Sequence, residues 1–250
     1  MLALLETDVA APVRPPSGKV RCNLCCLQEF CEPDSLARHE IDFLKTFVRK
    51  QELRLRRGEQ LYRQGDESRA LFAVHTGSFK VCVAAADGGE RVTGFSFAGD
   101  LMGLDAIDAG THGDYAVALE DGGVCLLPWE RLEEAAARIA LVRRQVMRML
   151  SREVRREQEW GTMRGHLSAE QRFAAFLLSL SSRLASRGFS GERFRLTMSR
   201  PDIGNFLGLT SETVSRLFTR FREKGWVRVQ ARELELLRPE GLRALIRSKN

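Results

Sequence analysis

Hydrophobic and polar positions follow three different rhythms along this chain of 250 residues. From about Glu52 to Trp129, short apolar runs such as ALFAVHTG, SFKVCVAAADGG, RVTGFSF and GVCLLPW are separated by glycine-bearing turns. Strands this short, with a turn signal roughly every 8–12 residues, predict an antiparallel jelly roll or a similar β-roll. Asp87-Gly88 is a hairpin turn signal within it. From Leu132 to about Met163 there is no proline and no glycine before Gly161, and Ala, Leu, Met, Arg and Glu dominate. That composition predicts one long helix. Along it Met147, Leu150 and Val154 step by three and four, and the next steps reach Glu157 and Gly161. This is an a/d seam interrupted by an acid. A seam on so long a helix calls for a second helix, and a second copy of the chain is the simplest source.

The final third alternates helical and turn signals. Ser168 caps an apolar helix carrying Phe173, Phe176, Leu177 and Leu180 and ending near Gly188. A short strand pair is expected around FRLTM, and WVRVQ with ELELL reads as a hairpin. Between them lies SRPDIGNFLGLTSETVSRLFTRFREKGWV. Ser199 is an N-cap, with Pro201 in the first turn and Asp202 three residues after the cap. Ile203, Phe206 and Leu207 share one face, Gly208 supplies a turn, Thr210 caps a second helix and Gly225 ends it. Val214, Leu217, Phe218 and Phe221 form the inner face of that second helix. Two helices joined by a short glycine-containing turn make a helix-turn-helix.

The outer face of the second helix carries Ser211, Glu212, Ser215, Arg216, Thr219 and Arg220. Arg216 can donate two hydrogen bonds to a guanine edge, Glu212 can accept from cytosine, and the serines can reach bases or phosphates. Glu212 and Arg216 also fit an ordinary i,i+4 surface pair. The caps, turn glycine, inner-face spacing and basic charge of the domain, taken together, favour the DNA-contact reading, although charge alone fits a solvated basic surface equally well. Residues 164–250 hold 17 Lys and Arg against 8 Asp and Glu, a balance of +9, whereas residues 1–163 hold 22 against 25. Basic charge gathered in one terminal third suits a polyanion.

At the other end, residues 1–21 carry Pro12, Pro15, Pro16 and Gly18 without periodicity, which reads as an arm. Asp34 or Ser35 can cap a short helix with Leu36, Ile41, Phe43, Leu44 and Phe47 as apolar positions. Between them VRCNLCCLQEFC holds Cys22, Cys25, Cys26 and Cys31, four of the six cysteines. MLALLETDVAAPV lacks a basic n-region, and no apolar run reaches the roughly 18 residues that span a bilayer. A cytoplasmic protein is expected, whose thiols stay reduced, and this argues against disulfides. Metal ligation and buried thiols both remain. Cys82, alternating with Val81 and Val83, reads as a core residue.

The order of β-roll, long helix and helix-turn-helix resembles the CRP/FNR superfamily of bacterial transcription regulators. FAGDLMGLDAI, RFAAFLLSLSSRLASRGFS and FRLTMSRPDIGNFLGLTSETVSRLFTRF resemble its FNR branch, and the resemblance runs from about Arg21 onward. It implies an α+β fold with an antiparallel β-roll, a long dimerisation helix and a C-terminal winged helix-turn-helix. The corresponding domains are 1–31 (arm and cysteine loop), 32–130 (sensor roll), 131–163 (dimerisation helix) and 164–250 (DNA binding). It implies a homodimeric regulator, not an enzyme. Two-fold symmetric promoter DNA with TTGAT-like half-sites would be read by Glu212, Ser215 and Arg216, and RNA polymerase would be a partner.

The resemblance also bears on the sensor. Cys22, Cys25 and Cys31 with the distant Cys125 resemble the ligands of an oxygen-sensing [4Fe–4S] cluster, a chemistry that four thiolates support. Structural zinc also uses C-x2-C pairs, although usually two of them. Cys26 stands where the family more commonly has serine, and it is a substitute ligand or a modulator of the cluster. Cyclic-nucleotide-binding members carry an arginine for the phosphate, but AGDLMGLDAIDAGTHGDYAVAL has neither Arg nor Lys. An anionic ligand would lack its counter-charge there. Glu157 falls where the branch places an acid, and repulsion between two copies would weaken the seam until the cluster orders the loop. Two competing readings are a same-fold regulator sensing haem or another small ligand, and a thiol redox enzyme. No βαβ thioredoxin pattern surrounds the cysteines to support the latter.

Overall fold

The computed structural model describes residues 52–85 and 88–248. Cys22, Cys25, Cys26 and Cys31, the helix expected after Asp34 or Ser35, and Asp87 of the turn signal lie outside the described residues.

Among the described residues, eight short strands form the roll: β1 (Glu52–Leu55), β2 (Gln60–Tyr62), β3 (Ala70–Thr76), β4 (Ser78–Ala84), β5 (Glu90–Phe97), β6 (Leu101–Met102), β7 (Tyr115–Ala118) and β8 (Gly122–Pro128). They pair antiparallel in two sheets, ordered β1-β8-β3-β6 and β2-β7-β4-β5. Val74, Phe79, Ala116 and Val124 are fully buried and help fill the roll's interior. At the turn between β3 and β4, glycine is needed because two backbones press together. A Cβ on Gly122 would stand 2.6 Å from the Thr76 carbonyl oxygen, and Gly77 has φ +79°. A single-turn helix, α1 (Ala106–Ala109), follows β6.

The stretch expected as one helix is two. Helix α2 (Trp129–Arg138) ends at Ile139, whose φ of −117° and ψ of 108° are extended, and α3 (Ala140–His166) begins directly after it. Propensity gives no warning of the break. It is a tertiary effect: Ile139 is buried with Leu132, Ala135 and Val142 against Leu71 and Leu127 of the β3–β8 face. The kink keeps α2 on the roll while α3 departs from it. Val142, Val146 and Met149 of α3 are buried, while Met147 and Val154 are 59% and 57% exposed.

Beyond α3 come α4 (Ala169–Ser186), β9 (Arg193–Arg195), α5 (Arg200–Leu207), α6 (Ser211–Glu223), β10 (Val227–Gln230), β11 (Glu233–Leu236) and α7 (Pro239–Arg247). Both sequence-predicted caps at Ser168 and Ser199 are full capping boxes, closed by Gln171 and Asp202. FRLTM supplies one strand rather than a pair. Its β9 joins the hairpin as the third strand of a β10-β11-β9 sheet because Phe194 pairs with Leu234 and both are buried. Phe173, Ile203, Val214, Phe221 and Leu242 are fully buried where these helices converge.

Candidate nucleic-acid interface and sensor site

The helix-turn-helix is built by close backbone approach. Gly208 closes α5 in the left-handed region, with φ +66° and ψ +43°. Gly204 faces the turn so tightly that a Cβ would lie 2.6 Å from the Leu209 carbonyl oxygen. Thr210 then caps α6 by accepting from the Thr213 N–H at 3.2 Å. Val214, Leu217, Phe218 and Phe221 turn inward and are buried, as the spacing predicts.

On the outward face, Glu212, Ser215, Arg216, Thr219 and Arg220 are exposed and Ser211 is half-buried. Ser211 Oγ donates to Glu212 Oε1 at 3.0 Å, and Ser215 Oγ donates to the Ser211 carbonyl at 2.9 Å. The backbone N–H of Glu212 itself, then the Ser211 and Thr210 hydroxyls, hold the Glu212 carboxyl below its ordinary value. Its anion is therefore a ready acceptor at the N-terminus of α6. Arg216 forms no ion pair among the described residues. Arg220 is paired with Glu170 of α4, so any contact it makes to DNA competes with that bond.

Sequence reasoning missed how this module is held to the roll. Asn205 of α5 accepts from the Val92 N–H and donates to the Glu90 carbonyl, both at 2.8 Å. Lys80 Nζ bridges Glu90 at 2.5 Å and Asp202 at 3.1 Å. Ser78 Oγ donates to Thr197 Oγ1 at 2.7 Å. Asp100 accepts from the Phe97 N–H at 2.8 Å and from Arg183, with Arg187 at 3.6 Å. Burial alone would raise the Asp100 carboxyl, but the Arg183, Arg156 and Arg187 guanidiniums and the Phe97 N–H outweigh it and hold it low.

Cys125 lies half-buried on β8, opposite Glu52 of β1 on one side and Ala73 of β3 on the other. It packs on the core that joins this sheet to α2 and α3. Cys82 is fully buried, and desolvation pushes its thiol up to about 11, as suits a core residue. Of the expected seam, Met147, Val154, Glu157 and Gly161 are exposed and Leu150 is half-buried.

Between the roll and α3 runs a cleft of about 580 Å³, bounded by Leu150, Val154 and Glu157 on the helix side. Its ionisable lining is mostly acidic: Asp105, Asp114, Glu153 and Glu157, with Arg156 as the basic member. Arg156 is itself paired with Glu153. At the roll end, the His112 ring is buried and stacks on Tyr62 with centroids 3.8 Å apart. Burial, and then the neighbouring Asp105 charge, push Asp114 up to about 6.

Known proteins match this arrangement along nearly the whole chain. A Crp-like helix-turn-helix domain matches residues 171–245, and a cyclic nucleotide-binding domain matches residues 52–138. The Fumarate and nitrate reduction regulatory protein of Escherichia coli is 39% identical over 240 residues, covering 96% of each chain. The Fumarate nitrate reduction regulatory protein of Klebsiella oxytoca is 40% identical over 231 residues, covering 92% of each. Among solved structures, FixK2 from Bradyrhizobium japonicum superposes with a TM-score of 0.73 at 30% identity, covering 80% of this chain and 99% of that one. The first two relatives are regulatory proteins rather than enzymes, and the FixK2 structure shares this chain's fold. The chain belongs to the CRP/FNR family of transcription regulators and is of the FNR type.

Proposed function

We propose that this regulator senses oxygen through a [4Fe–4S] cluster held by Cys22, Cys25, Cys31 and Cys125, and that it binds two-fold symmetric promoter DNA as a homodimer in the cytoplasm. The observation that carries the reading is the place of Cys125. It sits at the junction of roll and helices, with β1 hydrogen-bonded beside it, and β1 continues the chain that bears the other cysteines. Cys31 precedes Glu52 by 21 residues. At up to about 3.3–3.6 Å per residue, that length is enough to reach back to Cys125. Four thiolates of this kind suit the group, which supplies oxygen-labile iron–sulfur chemistry when bound. Cys26 is a spare thiol beside the ligands.

Holding the arm at Cys125 stiffens the face from which α3 departs. The exposed Met147 and Val154 then pack against the same residues of a second copy, and Glu157 meets its own counterpart. Like charges in a partly buried seam oppose association, so the seam closes only when the arm is in place. Closure sets two α6 helices for adjacent major grooves of TTGAT-like half-sites, read by Glu212, Ser215 and Arg216. Ser211, Thr219 and Arg220 flank them. A DNA-bound dimer then presents its surface to RNA polymerase. The cleft's four carboxylates argue against a cyclic nucleotide there, because an anionic phosphate would meet like charge.

The test is anaerobic purification with iron and sulfide analysis and a visible spectrum, followed by air exposure and a DNA-binding assay. A cluster absorbance lost in air together with DNA affinity is expected, and Cys125→Ser removes both. A colourless, zinc-containing protein that binds DNA equally in air would overturn the reading. Glu157→Ala is expected to dimerise in air without the cluster. A monomer there would refute the repulsion account alone.

A further inference from the structure

Asp105, His112 and Asp114 each place one ligand atom so that all lie within 4.8 Å of one another. Asp105 comes from the start of α1, and His112 and Asp114 lie just before β7. The set mixes one imidazole with two carboxylates, a combination that suits divalent first-row transition ions. The His112 side chain is only 2% exposed, and its Nδ1 stands 3.4 Å from Asp105 Oδ1, a long and weak contact. Asp114 Oδ1 is buried and has no hydrogen-bond partner. An orphaned carboxylate oxygen in the interior needs a cation or a donor to offset its desolvation.

The surroundings hold the donors in place. The Gly113 N–H donates to Asp105 Oδ2 at 2.8 Å. The Tyr62 ring stacks on His112 and fixes the plane of the imidazole. Second contacts of this kind orient ligands around a metal. At metal–ligand distances of about 2.0–2.2 Å, adjacent donors stand roughly 3 Å apart. Side-chain rotations of the order of 1 Å would therefore complete the site, leaving open positions toward the cleft.

We propose that these three residues form a divalent-cation site in the floor of the roll–α3 cleft, separate from the cysteine site, with Mn²⁺ as a fitting occupant. The cation would relieve the repulsion between Asp105 and Asp114 and satisfy Asp114 Oδ1. It would also pin the loop before β7 beneath Leu150, Val154 and Glu157, which bound the same cleft.

The test is an Mn²⁺ titration of the full chain, read by loss of the free-ion electron paramagnetic resonance signal. Mn²⁺ is the probe because it prefers oxygen and imidazole ligands, so the thiols compete poorly for it. The wild type should take up one Mn²⁺ per chain and gain thermal stability with it. Asp114→Asn should weaken uptake roughly tenfold or more and abolish that gain. Asp108→Asn, on an exposed residue of α1, should change neither. Asp114 Oδ1 has no hydrogen bond to lose, so Asp114→Asn should fold normally; if its metal-free melt shows otherwise, Asp105→Asn is measured in its place. No uptake by the wild type at about 1 mM, or wild-type uptake by the replaced variants, would overturn the proposal.

Discussion

Replacing Gly204 with alanine sets two opposed effects against each other in the helix-turn-helix. In an open helix the change gains about 1 kcal/mol, because alanine is the better helix former. Here the new Cβ would stand 2.6 Å from the Leu209 oxygen and 3.3 Å from the Thr210 carbonyl carbon. Comfortable carbon–oxygen contacts begin near about 3.3 Å. The obstruction is backbone and the site is fully packed, so α5 and the turn must part by roughly 0.7 Å or bend. Overpacking of this kind costs about 1–3 kcal/mol, and a clash with rigid backbone belongs at the upper end. The net expectation is a loss of about 1–2 kcal/mol, or roughly 2–8 °C in melting temperature for a chain of this size. Because the Leu209 N–H also bonds to the Gly204 carbonyl at 2.8 Å, the shift moves the start of α6. DNA affinity should therefore fall along with stability. Gly165→Ala is the matched control: nothing lies within 4 Å of its added Cβ, and it should stabilise by up to about 1 kcal/mol. Melts followed by circular dichroism, with fluorescence anisotropy on a symmetric duplex, read both effects. A Gly204→Ala protein that melts at or above the wild type would refute the close-approach argument.

Two further outcomes follow from the same contacts. Arg216→Ala should cost about 1–3 kcal/mol of binding to the preferred half-site and relax selectivity at the base pair it reads, which competition with single-base duplex variants measures. Asp100→Asn should destabilise by about 3–5 kcal/mol, because Arg183 loses the anion it is buried against. The Asp100 carboxyl is held below its unfolded value, so this stabilisation is complete above about pH 4 and fades as the pH falls through the folded value. Wild-type melting temperatures should drop on that side, and the Asp100→Asn protein should lack that part of the drop.

What the sequence disclosed was local. The caps at Ser168, Ser199 and Thr210, the turn at Gly208 and the inner face of α6 all follow from side chains within a few residues of one another. The break at Ile139 did not, because the pull that extends it comes from a β-sheet rather than from its neighbours in the chain. FRLTM showed its strand character but not its partner, since Glu235 pairs with Arg193 from across the wing. The Arg183–Asp100 contact spans 83 positions, and neither residue carries a motif that announces it. Cys125 stood out only through resemblance to a family. Asp105, His112 and Asp114 looked like any polar loop until the fold closed it over Tyr62.

The bonds from Asn205, Lys80 and Arg183 make the roll and the reading head of one chain turn together. Such a body works as a lever. Helix α3 has 27 residues, and at about 1.5 Å each it gives an arm of roughly 40 Å. A pivot of about 5° at one end would carry the other through some 3–4 Å, close to the 3.4 Å rise of one base pair. A pivot that small at the roll end is enough to take α6 in or out of register with a groove.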